Sequence, residues 1–178
     1  MYKLVTVPNT ILNKPSRKVD TFNKQLVKIV KEMEETLNAQ VDPQGVGLAA
    51  PQVGLDMAIF IMKPTPRAAT EICINPVILQ TSKPQTPKPA AEEDDEKPLE
   101  GCLSIPRIWS PVQRPRRVQL EYQDIHGEKK QVWFTGFKAV IVQHEVDHLD
   151  GVLFTQRALE QKSQLYEEKN GKLIPRSL

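Results

Sequence analysis

The pentapeptide His144-Glu145-Val146-Asp147-His148 lies in a proline-free run over 137–149, and it constrains the fold more than any other segment. Four residues turn an α-helix by about 400°, so on a helix both imidazoles leave from one face, spaced to share one metal ion. Glu145 then stands within reach of a water at that ion. The competing reading is a buried helix with two satisfied histidines. A catalytic ion of the zinc type takes three protein donors and keeps one position open, so the chain has to supply a third. The extended pattern H-E-x-x-H-x-x-G-x-x-H holds as far as Gly151 and then meets Phe154 instead of histidine, which excludes that protease class. A second class draws a glutamate from further downstream, where Glu167 and Glu168 stand. Upstream, Glu100-Gly101-Cys102-Leu103-Ser104 offers a lone thiol beside a strand-like segment. A thiolate is the stronger ligand, and an inert buried cysteine is its competing reading. Cys73, in a β-branched run without polar company, reads as such an inert thiol.

The flanking sequence is too punctuated for a helical bundle, because 15 prolines in 178 residues interrupt it repeatedly. Pro8, Asn9, Asn13 and Pro15 make 5–18 an extended N-terminal arm. Apolar residues recur every three or four positions from Phe22 to Leu37, which predicts an amphipathic helix capped by Asn23 or Asp20. The run Gly45-Val46-Gly47-Leu48-Ala49-Ala50 that follows is rich in small residues, so something approaches its backbone closely. Met57–Met62 and Glu71–Leu79 read as short antiparallel edge strands, the second carrying Pro76. Residues 118–124 and 128–134 alternate around Ile125-His126-Gly127, a hairpin with His126 as a solvated turn residue. The helix over 137–149 is expected to be capped by Thr135 and stopped at Gly151. A weaker amphipathic helix is expected over 155–168. Segment 81–98 holds no Val, Ile, Leu or aromatic residue, and reads as an exposed, partly disordered Pro/acidic loop inserted in one domain.

Charge and apolar content narrow the function. The formal net charge of +2 is too balanced for an obligate nucleic-acid binder, and no specific DNA partner is expected. No window reaches 18 apolar residues and the N-terminus lacks an export signal's apolar region, so the expectation is a cytoplasmic protein without a membrane partner. Arg107, Arg114, Arg116 and Arg117 crowd one stretch, read as a solvated strand face, with contact to ribosomal RNA as the alternative.

Three segments, Gly45-Val46-Gly47-Leu48-Ala49-Ala50-Pro51-Gln52, Glu100-Gly101-Cys102-Leu103-Ser104 and Gln143-His144-Glu145-Val146-Asp147-His148, follow one another in this order. In them the chain resembles the peptide deformylases, whose motifs G-x-G-L-A-A-x-Q, E-G-C-L-S and Q-H-E-x-D-H are matched at every fixed position. The resemblance runs from the N-terminal arm to about Phe154. It departs in the long loop 81–98, in Trp109 where some relatives carry a substrate-facing arginine, and in a short tail from about 156. It implies a single α+β domain over 1–178, with antiparallel β-sheets around a central helix that carries the H-E-x-x-H motif and the metal. The implied ligands are Cys102, His144 and His148, with one ion per chain: Fe(II), or Zn, Ni or Co as substitutes. The implied reaction removes the formyl group from the N-terminal formyl-methionine of new proteins. Glu145 would move the proton, while the Gln52 amide and the Leu103 backbone N–H would serve the developing oxyanion. Gly45, Val46 and Gly47 would run beside the substrate, with Val46, Val140 and Ile141 around its methionine. The nascent formyl-methionyl chain is the implied partner, with the ribosome near its exit tunnel as a second. Two rivals remain: a zinc endopeptidase using Glu167 or Glu168, and a metal-stabilised binding module without enzymatic activity.

Overall fold

Asn23 opens the first helix as the spacing predicts: its side-chain oxygen accepts the Leu26 N–H at 3.0 Å, and α1 spans Lys24–Asn38. The computed structural model describes residues 1–82 and 99–176, so 83–98, most of the expected inserted loop, lie outside the described residues. After α1 come β1 (Gly47–Ala49), β2 (Ile59–Met62), β3 (Glu71–Thr81), β4 (Leu99–Cys102), β5 (Ile105–Pro111), β6 (Arg117–Gln123) and β7 (Lys129–Thr135). The helices α2 (Phe137–Leu149) and α3 (Phe154–Glu160) and the strands β8 (Leu165–Lys169) and β9 (Lys172–Arg176) follow. Two antiparallel sheets result, one in the order β1-β2-β3-β6-β7 and one in the order β4-β5-β8-β9. The expected α+β class is what the chain adopts.

The five-stranded sheet is covered on both faces, which is why β2 is buried at every position. Its Phe60 and Met62 join Cys73, Val118, Leu120 and Phe134 against Ala139, Ile141 and Val142 of α2. Its Ile59 and Ile61 turn the other way, onto Leu26, Val30, Met33 and Leu37 of α1. Strand alternation sends neighbours to opposite faces, so four consecutive apolar residues mark a strand between two helices. Each such side chain stabilises the fold by about 1.5–3 kcal/mol on burial. The N-terminal arm closes one end, with the Ser16 N–H donating to the Leu149 carbonyl at 2.7 Å.

Three local expectations are corrected. Neither β2 nor β3 is an edge strand: β2 lies between β1 and β3, and β3 between β2 and β6, where Pro76 is accommodated by a register shift between Ile74 and Val77. Asn75 adopts φ 52° there, and its side chain bonds both backbone groups of Val19 at 2.8 Å. A bulge omits the very hydrogen bond that proline cannot make. α2 is not capped by Thr135, which is the last residue of β7; Gly136, at φ 58°, occupies the cap position without a side-chain bond. The expected helix over 155–168 ends at Glu160, and the chain then forms the β8–β9 hairpin. β8 pairs with β5, so this tail builds the second sheet. The 118–134 hairpin forms as expected, with His126 exposed in its turn. Among the described residues no helix is long and apolar enough to cross a membrane.

Candidate metal centre

α2 is buried on nearly all sides, and that places polar groups in the interior: Gln143, His144, Glu145, Asp147 and His148 are all buried. Buried polar groups need partners. Gln143 donates to the carbonyls of Pro115 at 2.9 Å and Ala139 at 2.8 Å. The histidines meet the β4–β5 hairpin. Its turn, Leu103–Ser104, brings Cys102 Sγ to 3.1 Å from His148 Nε2, while the Ser104 N–H points at the sulfur from 3.4 Å. The donor atoms of Cys102, His144 and His148 all lie within 4.8 Å of one another. One sulfur and two imidazole nitrogens at that separation are a three-donor set for a tetrahedral ion, with one position left for a reactant.

Glu100, two residues before Cys102 on β4, places a carboxylate oxygen 2.6 Å from His144 Nδ1, which turns His144 Nε2 toward the sulfur. Arg114 grips the same carboxylate through Nε and Nη2, each at 2.7 Å, and reaches Asp147 with Nη1 at 2.9 Å. Arg157 closes the other side of Asp147 at 2.8 Å. Burial pushes the Glu100 carboxyl upward, but the Arg114 and His144 hydrogen bonds and charges overcome this and hold it at about 2. Arg114 is only 6% exposed, so it does not stand on a solvated strand face with the arginines around it. Arg107, Arg116 and Arg117 are exposed.

The charge of the cluster suits a cation. Burial opposes ionisation of Cys102, yet the charge of His148 and hydrogen bonds from both histidines bring its thiol down to about 5. Burial likewise works against a charged His144, but Cys102 and Glu100 on either side raise its pKa well above the usual imidazole value. Two anions flanking one imidazole fit a metal ion's charge. Glu145 differs from both. It is 3% exposed, its Oε2 has no hydrogen-bond partner among the described residues, and burial above all carries its pKa to about 7.

The remaining expected site residues fall into three groups. Gln52, 1% exposed, accepts the Ala49 N–H on Oε1 at 2.8 Å, which aims its Nε2 at Cys102 Sγ, 3.5 Å away. Gly47 lies against Glu145: a Cβ there would stand 2.9 Å from the Glu145 Cδ and 2.9 Å from Ile141 Cγ2. Val46 packs in the same cluster as Ile141, and Val140 is half-buried on α2. Gly45 is small for another reason, since a Cβ there would stand 2.7 Å from Leu37 Cδ1 at the end of α1. Leu103 occupies the turn after Cys102. Among the described residues β1 and β4 are each an edge strand of their sheet, and the contact of Gln52 with Cys102 links the two edges. Glu167 and Glu168 lie elsewhere, on β8: Glu167 pairs with Lys169 at 2.9 Å and Glu168 accepts the Trp109 Nε1–H at 3.2 Å. Cys73 is a buried free thiol in the core, as expected.

The polypeptide deformylase family pattern matches residues 1–164. The chain is 34% identical over 179 residues to the peptide deformylase of Desulfotalea psychrophila, covering 98% of both chains. It is 39% identical over 149 residues to peptide deformylase 1 of Clostridium perfringens, covering 84% of this chain and 92% of the relative. The crystal structure of the Thermotoga maritima peptide deformylase superimposes with a TM-score of 0.75 at 34% identity, covering 88% of this chain and 97% of that one.

Proposed function

Since the chain belongs to the peptide deformylase family, metal-dependent hydrolases that remove the formyl group from the N-terminal formyl-methionine of new peptides, we propose that Cys102, His144 and His148 hold its ion. Glu145 is the proton carrier in this reading. The observation that carries both assignments is the meeting of a Cys-His-His donor set with a buried carboxyl whose Oε2 has no hydrogen-bond partner among the described residues. Among the described residues this is the only such donor group, which leaves the endopeptidase rival without a third ligand at Glu167 or Glu168. Family membership makes the chain an enzyme, against the binding-module reading.

When bound, the metal supplies a Lewis acid that polarises the formyl carbonyl and acidifies a water. Glu145 accepts the proton of the attacking water and passes it to the departing amine as the C–N bond breaks. A pKa of about 7 suits a group that must take up and give back a proton near neutrality. Gln52, fixed by Ala49, and the Leu103 backbone N–H donate to the oxygen on which charge develops. The formyl peptide lies as an added strand between the edges of β1 and β4, along Gly45, Val46 and Gly47. Its methionine side chain enters the α2 side, among Val46, Val140 and Ile141. Residues 1–178 act as one domain, with 81–98 as its insertion.

The ion is Fe(II) in this reading, with Zn, Ni or Co as substitutes, one per chain. Affinity order alone favours zinc, so the family resemblance carries the choice of iron. Formate release from a formyl-Met-Ala-Ser peptide by protein purified anaerobically, with metal analysis of the same sample, tests the activity and the ion together. The iron form should lose activity in air faster than a nickel form, through oxidation at the metal or at Cys102. Equal half-lives would overturn the iron assignment. The compartment is the cytoplasm, and the exposed Arg107, Arg116 and Arg117 favour the ribosome near its exit tunnel as a partner. Salt-sensitive co-sedimentation with ribosomes tests that partner.

A further inference from the structure

β4 divides its side chains between two faces. Glu100 and Cys102 are buried and meet His144 and His148, while Leu99 and Gly101 are directed to the other face. On β5 the same alternation buries Ile108 and Ser110 and leaves Trp109 half-buried on the face of Gly101, its cross-strand partner. The indole fills the space that a side chain at 101 would take: a Cβ on Gly101 would stand 2.6 Å from Cζ3 and 2.7 Å from Cε3 of Trp109. The ring therefore lies over Gly101 of β4, which among the described residues is an edge strand of its sheet. Glu168 fixes its rotamer by accepting the Nε1–H at 3.2 Å, and Arg107 approaches the same carboxylate at 3.8 Å.

An extended peptide added to the β4 edge alternates in the same way. Its formyl-methionine side chain points to the α2 side, so the side chain of its second residue points to the opposite face, beside Gly101. Glycine interposes nothing there, and the second residue meets the indole directly. From this geometry we infer that Trp109 is a specificity-determining residue for the amino acid that follows formyl-methionine. It favours large apolar and aromatic side chains over Ala and Gly. The inference rests on the strand-addition reading above and deepens it.

The test measures formate release from formyl-Met-Xaa-Ser with Xaa Gly, Ala, Leu or Phe, in the metal-loaded native enzyme and in Trp109→Ala and Trp109→Phe. Aromatic packing predicts a kcat/KM for Phe about 3- to 10-fold above that for Ala in the native enzyme. In Trp109→Ala this ratio should collapse to within about twofold of one, with the change in KM rather than kcat, because the contact is remote from the bond that breaks. Trp109→Phe should keep most of the ratio. Metal content and melting temperature of each variant show that a folded, loaded enzyme is compared. A Phe-to-Ala ratio near one in the native enzyme, or one unchanged in Trp109→Ala, overturns the inference while formate release leaves the deformylase reading standing. Absence of formate from every peptide overturns both.

Discussion

Arg114 holds both oxygens of Glu100 at 2.7 Å in the interior, so the carboxylate that faces His144 is itself fixed from behind by a buried guanidinium. The same guanidinium reaches Asp147, one residue before His148. One cation thus ties the strand that bears Cys102 to the helix that bears both histidines.

Replacing Arg114 by methionine should leave the buried Glu100 without its guanidinium, while Asp147 keeps Arg157. Breaking a buried pair in this way costs about 3–5 kcal/mol. Loss of an outer partner to a ligating histidine lowers metal affinity by about 10- to 100-fold. Urea unfolding and chelator competition measure the two effects separately. Arg114→Lys should recover little, since an ammonium has no fork to match the carboxylate.

Cys102→Ser should abolish tight metal binding and activity, because a hydroxyl is a far weaker ligand than a thiolate. Cys73→Ser should keep the metal, at a cost of about 1–3 kcal/mol for a hydroxyl in an apolar core. Elemental analysis of the two proteins decides. Retention of metal by Cys102→Ser with its loss in Glu167→Ala would reverse the ligand assignment.

Glu145→Gln should bind one ion per chain and lose turnover by about 10²- to 10⁴-fold, the usual worth of a positioned proton carrier. Metal content and single-turnover formate release check this. A metal-free Glu145→Gln protein would make Glu145 a ligand instead.

Gly47→Ala tests the close approach of β1 to the site. The added methyl meets the Glu145 carboxylate and Ile141, so it should cost about 1–3 kcal/mol and depress activity more than stability alone explains. A fully active Gly47→Ala enzyme would contradict that contact.

Alkaline pH should weaken the fold through Cys73. Burial first, and Glu71 second, push its thiol well above the ordinary value, with Lys130 opposing. A raised folded pKa means that the stabilising contribution is complete below the unfolded pKa of about 8.5 and is lost as pH rises above it, by about 1.4 kcal/mol per unit. Cys73→Ala should flatten that decline. Urea unfolding between pH 8 and 10.5 follows the slope.

What was legible in the sequence was what repeats or recurs locally. The period of α1, the alternation of β6 and β7 and the spacing of His144 and His148 each announce an element through its own geometry. Pairing over long distance announces nothing of the kind. Pro76 pointed to an edge strand because a bulge compensating for it depends on Asn75 and Val19, far apart in the chain. Arg114 resembled its exposed neighbours because its partners Glu100 and Asp147 become its partners only after folding. Residues 155–168 carry a weak amphipathic pattern that suits a helix, and the pairing with β5 that draws their second half into a strand is likewise invisible locally. Glu100 acquires its role only once folding sets His144 beside it, 44 residues along the chain.

β4 and α2 meet as two rulers with nearly matching graduations. Two strand residues advance by about 6.6–6.8 Å and four helix residues by about 6 Å, so Glu100 and Cys102 fall opposite His144 and His148 together. A slip of one residue along β4 would misplace both at once and turn each side chain to the wrong face. Point changes around the site can therefore be graded in their effects, but inserting or deleting one residue between Glu100 and Cys102 is all-or-nothing. An ion held by Cys102 and both histidines fits a single alignment of hairpin on helix and rejects its neighbours.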